Sequence, residues 1–143
     1  MTKNDGKASE KIFDEIYKRK AGIVWYSFVD TFRARSFINA QPADRLLIYK
    51  GQAWLVEIKS TIDAVRFPLK NISKKQVGFG RYWRTAGALE VFIIHHLVTN
   101  KFYFIPFSLV DEWFKEGRSS IKWDELLVWQ EDKEYEFYNN NSR

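Results

Sequence analysis

The chain contains no cysteine. That excludes disulfides, zinc–thiolate sites and thiol nucleophiles, and it suits a reducing compartment such as the cytoplasm. It has no apolar run of membrane-spanning length and no apolar leader at its start, so neither a membrane partner nor secretion is expected. It shows no internal repeat, glycine-rich phosphate loop, zinc-ligand spacing or G-x-S-x-G elbow. This leaves no basis for a small-molecule cofactor. Histidine is scarce: the only two are adjacent, His95 and His96. Neighbours on a strand point to opposite faces, so the two do not readily share one metal. Acidic residues are missing from Ala64 to Leu89, a stretch that carries Arg66, Lys70, Lys74, Lys75, Arg81 and Arg84.

What is present is a folded composition. Hydrophobic residues make up 45% and aromatics 17% of 143 residues, enough for one core and one domain spanning 1–143. Residues 1–7 and about 131–143 are polar and are expected to be flexible ends. The net charge of +5 favours an anionic partner, and the balance turns acidic beyond Phe107. The basic middle reads either as a solvated surface or as a grip on a phosphate backbone.

Local signals give the element order. A helix is predicted from Ala8 or Ser9 to about Lys20, with Ile12, Phe13, Ile16 and Tyr17 as its buried stripe. Glu10 then lies near its start, where a carboxylate also suits the helix dipole. Ile23–Phe28 is a strand, and Val29 to Gln41 shows no clean period. Arg33 and Arg35 lie in that stretch as candidate phosphate contacts, with a tie to Asp30 as the plainer reading. Ser60 to Asn71 is expected to be a loop, because Phe67-Pro68 suits neither a helix nor a central strand. A second helix runs from about Ser73 to Thr85, with Gln76 in its first turn. Ala88 to His95 is a strand buried on both faces, Lys101–Pro106 its return. A short helix starts at Ser108 or Asp111 and stops at Gly117. Trp123–Trp129 packs last, and Tyr135, Phe137 and Tyr138 are candidates for docking on a partner. Helix, three strands, helix and two strands suit an α/β fold with a central mixed sheet flanked by helices.

The chemistry concentrates between Asp44 and Lys59. Leu46–Tyr49 and Ala53–Ile58 flank Gly51, a hairpin signature with glycine where positive φ is needed. Alternation puts Trp54, Val56 and Ile58 on one face and Leu55, Glu57 and Lys59 on the other. A carboxylate and an ammonium on an otherwise apolar strand need partners, since desolvating each costs several kcal/mol. Asp44 opens the preceding strand and approaches the same point. The trio reads as a divalent-metal site beside a general base or water-positioner. The bland alternative makes Asp44 a turn cap and Glu57–Lys59 a solvated edge pair.

Pro42-Ala43-Asp44 followed by Glu57-Ile58-Lys59 resembles the PD-(D/E)xK nuclease motif, and so the restriction-endonuclease-like core of that superfamily. Phe67-Pro68-Leu69-Lys70-Asn71-Ile72, followed by Gln76, resembles the segment after the motif in RecU-type Holliday junction resolvases and their phage relatives. Gly6 and Glu10 resemble the N-terminal glycine and glutamate of such resolvases. The likeness covers roughly the first hundred residues, and its second segment is more specific than the short motif. It implies a metal-dependent endonuclease of DNA recombination and repair, making paired nicks in four-way junctions as a homodimer. The setting it implies is a bacterial or phage-infected cytoplasm. It also implies that 29–41 is a short counterpart of the stalk that enters the junction.

The resemblance further implies Mg²⁺, with Mn²⁺ able to substitute, held by Asp44, Glu57 and the Ile58 carbonyl. Glu10 becomes a candidate third acidic member. Lys59 is expected to orient the attacking water, to stabilise developing charge, or to act as base if its pKa falls. Gln76 is expected to contact the scissile phosphate or orient Lys59. The phosphate-gripping set is Arg33, Arg35, Lys70, Lys74, Lys75, Arg81 and Arg84. Two alternatives stand beside this reading: a related nuclease acting on other branched or duplex DNA, and a non-catalytic DNA-binding protein on the same fold.

Overall fold

Residues 3–28, 43–129 and 137–138 are described by the structure, a computed structural model. In chain order the elements are α1 (Lys3–Tyr17), β1 (Ile23–Ser27), β2 (Arg45–Tyr49), β3 (Gln52–Thr61), β4 (Arg66–Pro68), α2 (Lys74–Thr85), β5 (Leu89–His96), β6 (Lys101–Pro106), α3 (Phe107–Lys115) and β7 (Ser120–Lys122). Short 3-10 turns cover Leu69–Asn71 and Trp123–Trp129. The main sheet has the order β1-β2-β3-β5-β6, with β3 and β5 parallel and the other pairs antiparallel. This is the α/β mixed sheet expected from the element order.

The β2–β3 hairpin turns on Lys50 and Gly51, both at positive φ (49° and 77°). Two-residue hairpin turns of that handedness match the twist of the strands they join. Its alternating side chains divide the core. Trp54, Val56 and Ile58 pack under α1 with Phe13, Tyr17 and Phe104. On the opposite face Phe92 and Ile94 pack with Val77 of α2, Val110 of α3 and Trp123. β5 is buried on both faces, as expected of its Val91–Ile94 apolar run, and it carries Glu90 into the interior with it. Its two terminal histidines part accordingly: His95 stacks on Phe102 and His96 on Trp123.

Four expectations need correction. α1 begins at Lys3, not at Ala8 or Ser9, and ends at Tyr17 rather than Lys20. Its extra first turn lies over the end of β3, where the Gly6 backbone approaches Ser60. Glu10 is therefore mid-helix, away from the positive end of the dipole. Ser60 to Asn71 is not simply a loop: β3 continues through Thr61, and Arg66–Pro68 pairs antiparallel with Ser120–Lys122. Pro68 sits at the end of that two-stranded ladder, a position that tolerates a missing N–H. α3 starts at Phe107, one residue before Ser108 and one turn before Asp111, the two starts expected. Finally, Phe137 and Tyr138 pack on Trp54 within the α1-side core rather than on a partner.

α2 crosses β5 closely because Gly80 faces the sheet. A Cβ there would overlap the Glu90 carboxylate and the Phe107 ring. Gly80→Ala is expected to cost about 1–3 kcal/mol through overpacking. Gly78, on the same helix with open space around it, is the control: Gly78→Ala should stabilise by up to about 1 kcal/mol. Thermal melts of the two variants check the pair, and equal shifts would contradict the packing account.

Candidate active site

The antiparallel register pairs Arg45 with Val56, which brings Asp44, one residue earlier, beside Glu57. Asp44 Oδ2 accepts the Ile58 backbone N–H at 2.8 Å, so the carboxylate is fixed across the hairpin at the motif strand. Glu57 is 4% exposed. Its Oε1 accepts from Gln76 Nε2 at 2.7 Å and lies 3.4 Å from Lys59 Nζ. The two carboxylates and the lysine expected to converge do so. β3 is a central strand, so Glu57–Lys59 is not a solvated edge pair.

Gln76 owes its orientation to the start of α2. Ser73 caps the helix by accepting the Gln76 backbone N–H, and Gln76 Oε1 accepts the Ser73 backbone N–H in return. This reciprocal box occupies the amide oxygen and leaves the amide N–H₂ to donate to Glu57. In the structure the Gln76 amide is thus directed at Glu57.

Burial is the leading cause that raises Glu57 well above the ordinary carboxylate range. Repulsion from Asp44 and a hydrogen bond shared with it add to that, against the opposing pull of Lys59. Two hard oxygen donors pressed together in a desolvated site are the donor chemistry that a small divalent cation satisfies. Among the described residues no three His, Cys, Asp or Glu side chains gather closely enough to hold one ion. The acids that share a hydrogen bond there are Asp44 and Glu57.

Glu10 sits beside this pair. Burial raises its pKa first and the Asp44 charge second. Its Oε1 accepts from Arg45 Nη1 at 2.9 Å. Arg45 is the residue that sequence reasoning missed. Its guanidinium also donates to both oxygens of Asp14, at 2.9 and 3.0 Å, and to the Asp44 carbonyl at 2.9 Å. One fork therefore ties α1 to the backbone of the motif aspartate. The available signal was an arginine directly after Asp44 and two acids, Glu10 and Asp14, one helical turn apart on α1.

Lys70, Lys74 and Lys75 are solvent-exposed at the Gln76 end of α2. Arg81 lies farther along and binds Asp111 of α3 at 2.6 Å, while Arg84 lies over the Phe107 ring. Arg33 and Arg35 fall outside the described residues, as does the rest of the 29–41 excursion.

The family model described as recombination protein U, RecU, matches residues 29–138. The chain belongs to the RecU family of Holliday junction resolvases. As a RecU-family protein it is an endonuclease whose substrate is branched DNA. No curated protein matches it. Among solved structures it is similar to Hjc of Archaeoglobus fulgidus, described as a Holliday junction resolvase from an archaeal hyperthermophile. The two are 14% identical over 73% of this chain and 75% of that one, with a TM-score of 0.51. At that identity the likeness is one of fold. No helix among the described residues of this RecU-family chain is long and apolar enough to cross a membrane.

Proposed function

We propose that this RecU-family resolvase cuts four-way junctions at the Asp44–Glu57–Lys59 cluster in a Mg²⁺-dependent reaction, Mn²⁺ substituting. The observation that carries the reading is the joint fixing of the two acids: Asp44 by the Ile58 N–H, Glu57 by Gln76. Asp44 and Glu57 would hold the ion, with the Ile58 carbonyl as a further oxygen donor. A bound divalent ion supplies charge neutralisation at the phosphate and a more acidic water. Lys59, at the mouth of the site with its side chain 21% exposed, positions that water or balances charge developing on the phosphate. Lys70, Lys74 and Lys75 hold the DNA backbone beside it, which the acid pair would otherwise repel. Residues 1–143 act as one nuclease domain. Two copies supply the two nicks, and sedimentation of the purified chain checks that dimer.

The test is cleavage of a synthetic four-way junction beside linear duplex of the same sequence, with magnesium, for wild type and Lys59→Ala. Selective junction nicking that falls by about 10²-fold or more in the variant is expected. Preferential cutting of the duplex would remove the junction assignment. Gln76→Ala should act more mildly, losing about 10–100-fold, because it removes support for a ligand and not the ligand itself. That loss should appear as weaker metal activation, with the apparent Mg²⁺ requirement raised. A fall in rate at unchanged metal requirement would place Gln76 elsewhere in the mechanism.

A further inference from the structure

The solvent side of α2 begins at the acid pair. Gln76, in the first turn, reaches Glu57, while Val77 and Gly80 turn inward to the core. Lys75, Gly78 and Tyr82 recur three and four residues apart, so they share the opposite side of the helix, with Lys74 at its edge. All four are exposed. The two arginines of α2 are engaged within the fold: Arg81 binds Asp111, and Arg84 lies over the Phe107 ring. The cations that α2 offers to solvent without a partner in the fold are Lys74 and Lys75.

Tyr82 is 73% exposed, the most exposed large hydrophobic side chain among the described residues. Among those residues its ring makes no ring contact and its hydroxyl no hydrogen bond. Phe79, one turn earlier, and Trp83 are half-buried on the adjoining flank, so the ring does not stand alone. Gly78 is a second, independent observation. A Cβ there would meet nothing within 4 Å, so packing does not call for glycine, whereas at Gly80 it does. Glycine inside a helix weakens it relative to alanine. What Gly78 supplies is bare backbone between Lys75 and Tyr82, where another chain can come close.

Ammonium groups beside an open aromatic ring suit a nucleic-acid strand: the cations meet phosphates, and the ring stacks on a base. The substrate of this RecU-family chain is branched DNA. Inside a linear duplex the neighbours of each base cover its faces, and uncovering one costs stacking energy. The helical ends that meet at a branch point can expose theirs. Tyr82 lies six residues beyond Gln76, about 9 Å at the helical rise, and a DNA strand advances about 3.4 Å per nucleotide. We propose that Tyr82 stacks on a base exposed at the branch point, about three nucleotides from the cut, and thereby favours branched over linear DNA. This role rests on the lysines of α2 holding the backbone beside the acid pair, as proposed above.

The test is binding, in Ca²⁺, of a synthetic four-way junction and of linear duplex of the same sequence. Tyr82→Ala should weaken junction binding by about tenfold or more and leave duplex binding within about twofold. Tyr82→Phe should bind as wild type does. Tyr82→Leu, apolar but without a π-face, should match Tyr82→Ala. All three should melt and sediment like wild type, because the side chain is exposed. Lys75→Ala should weaken both substrates alike and lower the salt slope by about one. Equal losses on junction and duplex in Tyr82→Ala, undiminished junction binding, or full junction binding by Tyr82→Leu overturns the base contact. A changed oligomeric state in Tyr82→Ala also overturns it, since the ring then belongs to a contact between copies. If Lys75→Ala leaves both affinities and the salt slope intact, the backbone grip fails instead, and the Tyr82 series still decides the stacking role.

Discussion

Asp44→Asn and Glu57→Gln should each lower metal-dependent junction cutting by about 10³-fold or more, while junction binding in Ca²⁺ or EDTA persists. Each change removes one negative oxygen donor from the acid pair and keeps the shape of the side chain. Asparagine still offers an oxygen to the Ile58 N–H, so the hairpin contact at 2.8 Å survives. Glutamine at 57 keeps an acceptor for Gln76 and gains a donor toward Asp44. Binding should persist because neither substitution removes a positive charge, and the exposed Lys70, Lys74 and Lys75 proposed to hold the backbone are unchanged. A second readout separates loss of function from loss of fold. Burial and repulsion from Asp44 raise Glu57, so its charged form weakens the folded protein. That penalty is absent below the unfolded carboxylate value and grows as pH rises through the folded one. Glu57→Gln should therefore melt higher than wild type in EDTA near neutral pH, by about 1 kcal/mol or more. Full cutting in either variant, or a Glu57→Gln protein that melts lower and no longer binds junctions, would contradict the assignment.

The acid pair was legible because its geometry is local. A two-residue turn fixes the register of β2 on β3, and the register carries Asp44 to Glu57. Strand alternation then decides that Glu57 and Lys59 share a face. The same locality made β5 and β6 readable, since a continuous apolar run followed by a turn and a return strand leaves few alternatives. What escaped depends on contacts between distant residues. Arg45 finds Asp14 and Glu10 across about thirty positions, and a lone arginine in sequence carries no mark of two waiting acids. β4 pairs with β7 across more than fifty residues, and three-residue strands carry too little pattern to announce themselves. Phe137 and Tyr138 sit in a polar tail, and only the space beside Trp54 shows where they belong. Gln76 is intermediate. Its capping box with Ser73 is readable from spacing, but the bond to Glu57 requires α2 to lie on that face of the sheet.

The fold itself should lose stability between about pH 4.5 and about pH 8 through Glu90, and Glu90→Gln should remove that loss. Desolvation alone raises this carboxyl from 4.5 to about 8. Below the unfolded value both states are protonated and the contribution is intact. As pH climbs toward the folded value, the unfolded chain ionises freely while the native chain must hold a proton or bury a charge. Each pH unit in that window then costs about 1.4 kcal/mol from this one group. Above the folded value the loss levels off. Other groups tilt the raw curve. Glu10 and Glu57 are also raised and add to the decline. His95 and His96 are lowered, mainly by burial, and work against it as pH passes their range. Asp14 and Asp111 are lowered despite burial, through their arginine contacts, so their share is lost only at more acidic pH. All six persist in Glu90→Gln; the Glu90 charge also helps raise Glu57, so the difference between wild type and variant reads the buried acid together with its effect on Glu57. Urea unfolding should find the two proteins close near pH 4.5 and the variant ahead by several kcal/mol near pH 8. A constant gap across the range would mean that Glu90 stays in one protonation state throughout, and that its carboxyl has a partner when the protein is in solution.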